Sequence, residues 1–162
     1  MTLDEAAKKK VLRDFTYGLY AVTAEHEGER GVFTANWLSQ ASFEPPLVML
    51  SVENASSTLP LIRASQRFAI CPLAEDQKAL AGALGRPKKR AGDKFATLEL
   101  AIVETASGPP ALADSLGYVV CAVHEEVPAG DSSVFLAGVI EARSFSDAPP
   151  LEMRVAGFRH AG

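Results

Sequence analysis

The chain has 162 residues, of which 48% are hydrophobic and 22% charged, and a formal net charge of −4. That length and composition suit one globular domain, residues 1–162, with a real core. The acidic balance provides no overall positive field of the kind that holds a polyphosphate backbone, so nucleic acid is excluded as an expected partner. The amino terminus lacks the apolar stretch of a signal peptide or a membrane span, and the expected location is cytoplasmic.

Thr2-Leu3-Asp4-Glu5 has the pattern of a capping box and predicts a helix starting there. Leu3, Ala7, Leu12 and Phe15 fall near one face, acids precede Lys8, Lys9 and Lys10, and the run should end before Gly18. From Tyr17 to Ala24 the pattern turns aromatic and β-branched. A glycine-punctuated polar stretch over 26–31 then predicts a turn and a second strand ending near Phe33.

Further strands are expected over 47–52, 67–73, 98–103, 118–127 and 134–145, with short helices over 58–64 and 75–84. Pro128-Ala129-Gly130-Asp131 reads as a hairpin turn between two long strands, and Asp147-Ala148-Pro149-Pro150 as a break before the tail. Many short strands, turn signals and few helices favour a mainly β architecture, a closed or partly closed antiparallel β-barrel with a few short helices. No Gly-x-Gly-x-x-Gly or Walker loop supports a parallel dinucleotide-binding sheet.

Cys71 and Cys121 sit in apolar, strand-like runs and read as buried reduced thiols, with a disulfide between them as the alternative. His26, His124 and His160 are scattered, and no ligand-like spacing predicts a metal site.

Two segments carry candidate chemistry. Thr34 to Phe43 is polar for its surroundings: Thr, Asn, Ser and Gln provide small hydrogen-bonding groups, and Trp37 provides a flat packing surface. A planar ring with polar edges needs this combination, although strand ends and hydrogen-bonded turns use the same residues. Glu53-Asn54-Ala55-Ser56-Ser57-Thr58 follows a strand and opens a helix, where free amides suit a phosphate, although by itself the segment reads first as an ordinary helix cap at Ser57 or Thr58. Gly85-Arg86-Pro87-Lys88-Lys89-Arg90 is the one basic cluster, either a solvated loop or an attractor of phosphates at a binding-site mouth.

The order and spacing of these motifs resemble the flavin reductase-like, FMN-binding split-barrel family. The resemblance runs from Tyr17-Gly18-Leu19-Tyr20-Ala21-Val22-Thr23 through Thr34-Ala35-Asn36-Trp37, Ser39-Gln40-Ala41-Ser42 and Pro45-Pro46-Leu47-Val48 to Asn54, Ser57-Thr58 and Phe68. It continues through Asp93-Lys94-Phe95 to Phe135-Leu136-Ala137-Gly138-Val139. The resemblance implies a split β-barrel that binds FMN, with NADH or NADPH as electron donor.

By the same resemblance Thr34, Asn36, Trp37, Ser39 and Ser42 line the isoalloxazine and ribityl chain, and Ser57, Thr58 and Lys94 lie near the phosphate. Ala35, Gln40, Ala41, Ser51 and Asn54 complete the implied cofactor-binding set. No catalytic side chain is implied, because hydride transfer between two cofactors requires none. The family also implies a homodimer with the flavin near the subunit interface, and a monooxygenase or other redox protein as partner.

One departure stands out. Reductase members often carry a His after the Gly-Asp that precedes the late strand, whereas here Gly130-Asp131 is followed by Ser132-Ser133. That favours somewhat the alternative of an FMN electron carrier serving a partner protein. His160, in a tail similar to the family's, is the one ring placed to substitute, against a plain reading as a polar terminal residue.

Overall fold

In a computed structural model of the chain, residues 1–159 are described. The first element, α1 (Glu5–Arg13), begins where the acidic start predicts, but its cap is Asp4, whose carboxylate accepts from the amide of Ala7 at 2.9 Å. The carboxylate lies closer to the first turn than the Thr2 hydroxyl and takes the capping role. No residue of α1 is buried.

The body of the chain is an antiparallel sheet of seven strands. β1 (Tyr20–His26), β2 (Glu29–Ala35), β3 (Leu38–Ser42), β4 (Leu47–Glu53), β5 (Arg67–Pro72), β8 (Gly117–Ala129) and β9 (Ser132–Ser144) are arranged in the order β2-β1-β5-β8-β9-β4-β3. A separate two-stranded ribbon pairs β6 (Ile102–Val103) with β7 (Ala111–Leu112). β1 and β2 pair in continuous register from Tyr20↔Ala35 to His26↔Glu29 across a two-residue turn. Glu27 and Gly28 both have positive φ, at 50° and 81°, as the right-handed twist of a tight hairpin requires.

Two strands far apart in this order are neighbours in sequence. β2 and β3 form opposite edges of the sheet, yet only Asn36 and Trp37 separate them. Three virtual bonds reach no more than about 11 Å, so the sheet must curl to bring its edges together.

Burial follows the same geometry. One cluster is filled by Val22, Leu50, Phe68, Cys121, Phe135 and Ala137, with Leu59 and Ile62 from α2 (Leu59–Ser65) and with Leu38 packed against it. Thus every sheet strand turns one face to the same interior. The other face of β1, β2, β5 and β8 packs Ala21, Val32, Cys71 and Val120 against Leu84 of α3 (Lys78–Leu84), the small ribbon and the tail residues Leu151 and Met153.

Several expectations are corrected. Leu98–Val103 is not one strand, because Leu98 ends α5 (Lys94–Thr97) and Glu99 has φ of 49°; only the last two residues pair. Segment 38–42 is an edge strand, whose exposed polar residues hide the usual alternation. The Pro128–Asp131 turn is narrower than expected, since β8 runs through Ala129 and the reversal sits at Gly130 and Asp131. The short helices α4 (Lys88–Ala91), α5 and α6 (Met153–Ala156) carry little periodicity to read. Cys71 and Cys121 are free, buried and in different clusters, which removes the disulfide alternative. Burial pushes their thiols up to about 11 and about 12 respectively, so both are protonated and unreactive near neutrality.

Candidate functional site

The joint between β2 and β3 gathers the first polar segment. Thr34 is half-buried, and its hydroxyl donates to the Ala81 carbonyl of α3 at 2.5 Å. Ala35 turns inward and is 3% exposed, so its contribution to a ligand surface is backbone. Asn36 Nδ2 donates to Met153 Sδ at 3.4 Å, tying the joint to the tail. A thioether is a weak acceptor, so this amide is held in place while keeping most of its capacity for a stronger one. The Trp37 carbonyl accepts from the Ser51 amide at 2.9 Å, and both residues are half-buried. Thr34, Asn36 and Trp37 thus lie within one short stretch of chain, and the Trp37–Ser51 hydrogen bond brings the Ser51 backbone beside it.

A second group assembles lower on β2. Arg30, Gly31, Val32, Ser57, Lys88 and Lys94 line a small cleft with Asp93 and Phe95. Gly31 makes this possible: a Cβ there would lie 2.7 Å from Thr58 Oγ1 and 3.0 Å from Leu61 Cδ1. Its hydrogen lets the Ser57-Thr58 segment press against the strand. Val32 and Asn36 are four residues apart, about 13 Å of extended chain, so the cleft lies along β2 and the joint just beyond its end.

The groups around this cleft are already partly engaged. Thr58 is buried, and its amide donates to Ser56 Oγ at 3.3 Å, while the Leu59 amide donates to the Ser56 carbonyl at 3.2 Å. The opening of α2 thus satisfies these amides internally, and Ser57 is exposed in the lining of the cleft. Lys94 is 8% exposed and donates from Nζ to the Val32 carbonyl at 3.1 Å and the Leu84 carbonyl at 2.5 Å. Desolvation lowers its pKa. Asp93 caps α5, the helix that begins at Lys94, by accepting from the Phe95 amide. Lys88, from the basic cluster, pairs with Glu29 at 3.1 Å, and Arg30 pairs with Glu25 and Glu104.

Other expected residues lie elsewhere. Ser39, Gln40 and Ala41 are exposed on β3 and Ser42 is half-buried at its end; Ser39 Oγ donates to the Gln40 carbonyl and Gln40 Nε2 to the Ser42 carbonyl. Asn54 fastens the β8–β9 turn, with its amide on the Asp131 carbonyl at 2.9 Å and Nδ2 on the Gly130 carbonyl at 3.2 Å.

At the departure from the family pattern, Ser132 and Ser133 are buried. Ser132 Oγ donates to Asp131, and Ser133 Oγ accepts from Arg63, which also pairs with Glu126. His160 lies outside the described residues. No group of three or more potential metal ligands occurs among the described residues, and none of their helices is long and apolar enough to cross a membrane.

Ala81, Met153 and Gly31 were not foreseen. Gly31 carried a readable signal, a glycine inside a strand pattern, which marks close backbone approach. The other two enter through long-range contacts with no local signature.

A family model described as flavin reductase like domain matches residues 12–162. The chain is 32% identical over 147 residues to the reductase component of a 4-nitrophenol 4-monooxygenase/4-nitrocatechol 2-monooxygenase from Rhodococcus opacus, covering 91% of this chain and 76% of that protein. It is 33% identical over 144 residues to a high molecular weight rubredoxin from Moorella thermoacetica, covering 88% of this chain but 62% of that protein. Among solved structures, an NADH:FAD oxidoreductase from Streptomyces globisporus superposes with a TM-score of 0.82 at 26% identity, covering 100% of this chain and 95% of that one. That oxidoreductase has also been solved in complex with NAD and FAD fragments.

Proposed function

The chain belongs to the flavin reductase-like domain family, and from that premise we propose that it is an NAD(P)H-dependent flavin reductase of split-barrel architecture that uses FMN. The observation that carries this reading is the joint at Asn36 and Trp37, where a polar surface forms where the sheet edges converge. The curled sheet and its shared interior support the split barrel.

The residues present fit a flavin. The Asn36 amide, whose partner among the described residues is a thioether, the Ser51 hydroxyl and the flat Trp37 surface suit a ring with polar edges. Thr34 and Ala35 back that surface, and Ser39, Gln40, Ala41 and Ser42 border it from β3. Arg30, Ser57, Lys88 and Lys94, which line the cleft, suit the phosphate end, with buried Thr58 packed behind Gly31 and Asn54 holding the β8–β9 turn. A bound flavin supplies the redox chemistry, accepting a hydride from the nicotinamide. The chain's part is to bind and orient the two rings and exclude water between them, and no acid–base side chain is required of it.

FMN, rather than FAD, is the flavin that the resemblance carried by Thr34 to Trp37, Ser39 to Ser42 and Ser57-Thr58 implies. The active form is a cytoplasmic homodimer of single-domain chains. Met49, Leu136, Val134 and Val127 share one outer face through the pairings Met49↔Leu136 and Val127↔Val134, and Ser51 lies on that face. Burying this strip between two copies places the flavin surface beside the interface. The reduced flavin then serves a monooxygenase or another redox partner.

The test is an absorbance scan of the purified protein for bound flavin, followed by NADH and NADPH oxidation in the presence of FMN. Turnover well above the free-flavin control is expected, and turnover equal to that control with both donors overturns the reading. The likeness to the rubredoxin and the Ser132-Ser133 departure favour a second reading, a flavin carrier. It predicts retention of yellow colour through gel filtration and reduction only by a partner protein.

A further inference from the structure

Between α1 and α6 lies a cleft of about 740 Å³ that the flavin surface does not use. Among the described residues its walls carry Lys9, Lys10, Arg13, Arg154 and Arg159 against a single carboxylate, Asp14, in a chain whose net charge is −4. Among the described residues none of these five cations lies within ion-pair distance of an acid, whereas Lys8, one residue away, pairs with Glu5 at 2.5 Å. The spacing explains the concentration. Lys9 and Arg13 are four residues apart, and Lys10 and Arg13 three, so the helix presents them on one face while Lys8 falls outside the lining.

The cleft adjoins the flavin surface through its own residues. Met153 lines it, donates its amide to the carbonyl of Tyr17, also in the lining, at 2.9 Å, and receives the Asn36 side chain at 3.4 Å. Phe158, from the same wall, packs toward α3: a Cβ on Gly82 would lie 3.4 Å from its ring. On the opposite wall Phe15 is 54% exposed. Unpaired cations with an accessible ring beside them suit a phosphorylated nucleoside, and the volume falls within the range of small-molecule sites.

We propose that this cleft binds the adenosine end of the nicotinamide donor and that its cations select the 2′-phosphate, so that the protein prefers NADPH to NADH. The nicotinamide end then lies toward Asn36, across Met153. A monoester dianion gathers two or three charge-assisted contacts here that a 2′-hydroxyl cannot. The inference rests on the reductase reading, since only a reductase needs a donor site. The exposed position of these cations makes the selection salt-dependent.

The experiment is calorimetric titration of the full chain with 2′,5′-ADP and with 5′-AMP, at low and at high salt, in wild type and in Lys9→Glu/Arg13→Glu and Arg154→Glu variants. Because α1 buries no residue, the first variant retains the fold, which far-ultraviolet dichroism checks. Binding of 2′,5′-ADP about tenfold tighter than 5′-AMP, weakened by salt and by charge reversal, is the expected result. In turnover, the same reversals raise KM for NADPH more than KM for NADH. Equal affinity for the two nucleotides, or a preference that survives charge reversal, overturns the proposal. Failure to oxidise either donor while 2′,5′-ADP still binds selectively strikes the reductase reading instead.

Discussion

β2 and β3 leave the Asn36–Trp37 joint in contrasting circumstances. β2 is packed on both faces, with Val32 against one cluster and Ala35 against the other; its Thr34 hydroxyl is tied to α3 and its Val32 carbonyl to Lys94. β3 is an edge strand whose Ser39, Gln40 and Ala41 are exposed and whose side-chain hydrogen bonds stay within the strand. The two stretches have similar polar composition. Packing depth separates a fixed surface from a solvated edge: a donor held by other elements is oriented before a ligand arrives, and one held only by its neighbours is not.

The largest effect should come from β2. Gly31→Ala forces a Cβ to within 2.7 Å of Thr58 Oγ1, a hydroxyl buried under α2 that has little room to retreat. We expect a loss of about 1–3 kcal/mol in urea unfolding, with weaker FMN binding because Ser57 moves away from the cleft. Wild-type stability in this variant would show that β2 is not packed as tightly as the comparison requires.

At the joint itself, Asn36→Ala and Trp37→Ala should each weaken FMN binding about tenfold. Their far-ultraviolet dichroism should stay near that of the wild type, since neither residue is fully buried. Fluorescence titration measures this. Unchanged affinity in both variants removes the joint from the site.

What the sequence disclosed and concealed follows the same division. The β1–β2 hairpin was legible because the polar, glycine-punctuated stretch over 26–31 follows an aromatic and β-branched run, and β5, β8 and β9 because they are rich in β-branched and other apolar residues. β3 was not, since an exposed edge needs no apolar alternation, and Leu98–Val103 misled because its apolar residues serve a helix end and a two-residue ribbon in turn. Within the site, Thr34 to Trp37 could be picked out by composition. That its Asn is held by Met153 and its Thr by Ala81 depends on contacts spanning 117 and 47 residues, which no local pattern encodes. The opposite case is Lys94: its charge suggested a phosphate ligand, and burial adds a structural duty that charge alone does not reveal.

That duty has a pH signature. Desolvation holds the Lys94 pKa below its ordinary 10.5, so between the folded and unfolded pKa values the unfolded chain binds more protons and stability rises with pH. Lys94→Met takes the donor from two carbonyls, so the wild type should be the more stable at pH 7. Its advantage should widen as pH approaches 10, because the cost of burying the charge is relieved only in the wild type. Groups common to both proteins cancel in this difference. Urea midpoints at the two pH values decide it, and a narrowing gap would mean that the folded pKa is raised rather than lowered.

The smallest effect should come from β3. In Ser39→Ala and Gln40→Ala the lost hydrogen bonds are short-range and exposed, so water replaces them and stability should change by less than about 0.5 kcal/mol. Their influence on FMN affinity should stay below about threefold, well short of that at Asn36, because their donors reach a ligand only across an open edge. The proposed dimer sharpens this point. If a second copy covers β3, the same substitutions should weaken FMN binding more at protein concentrations where the dimer forms than on dilution. A loss at Ser39 or Gln40 as large as that at Asn36 and independent of protein concentration would erase the difference between the two strands.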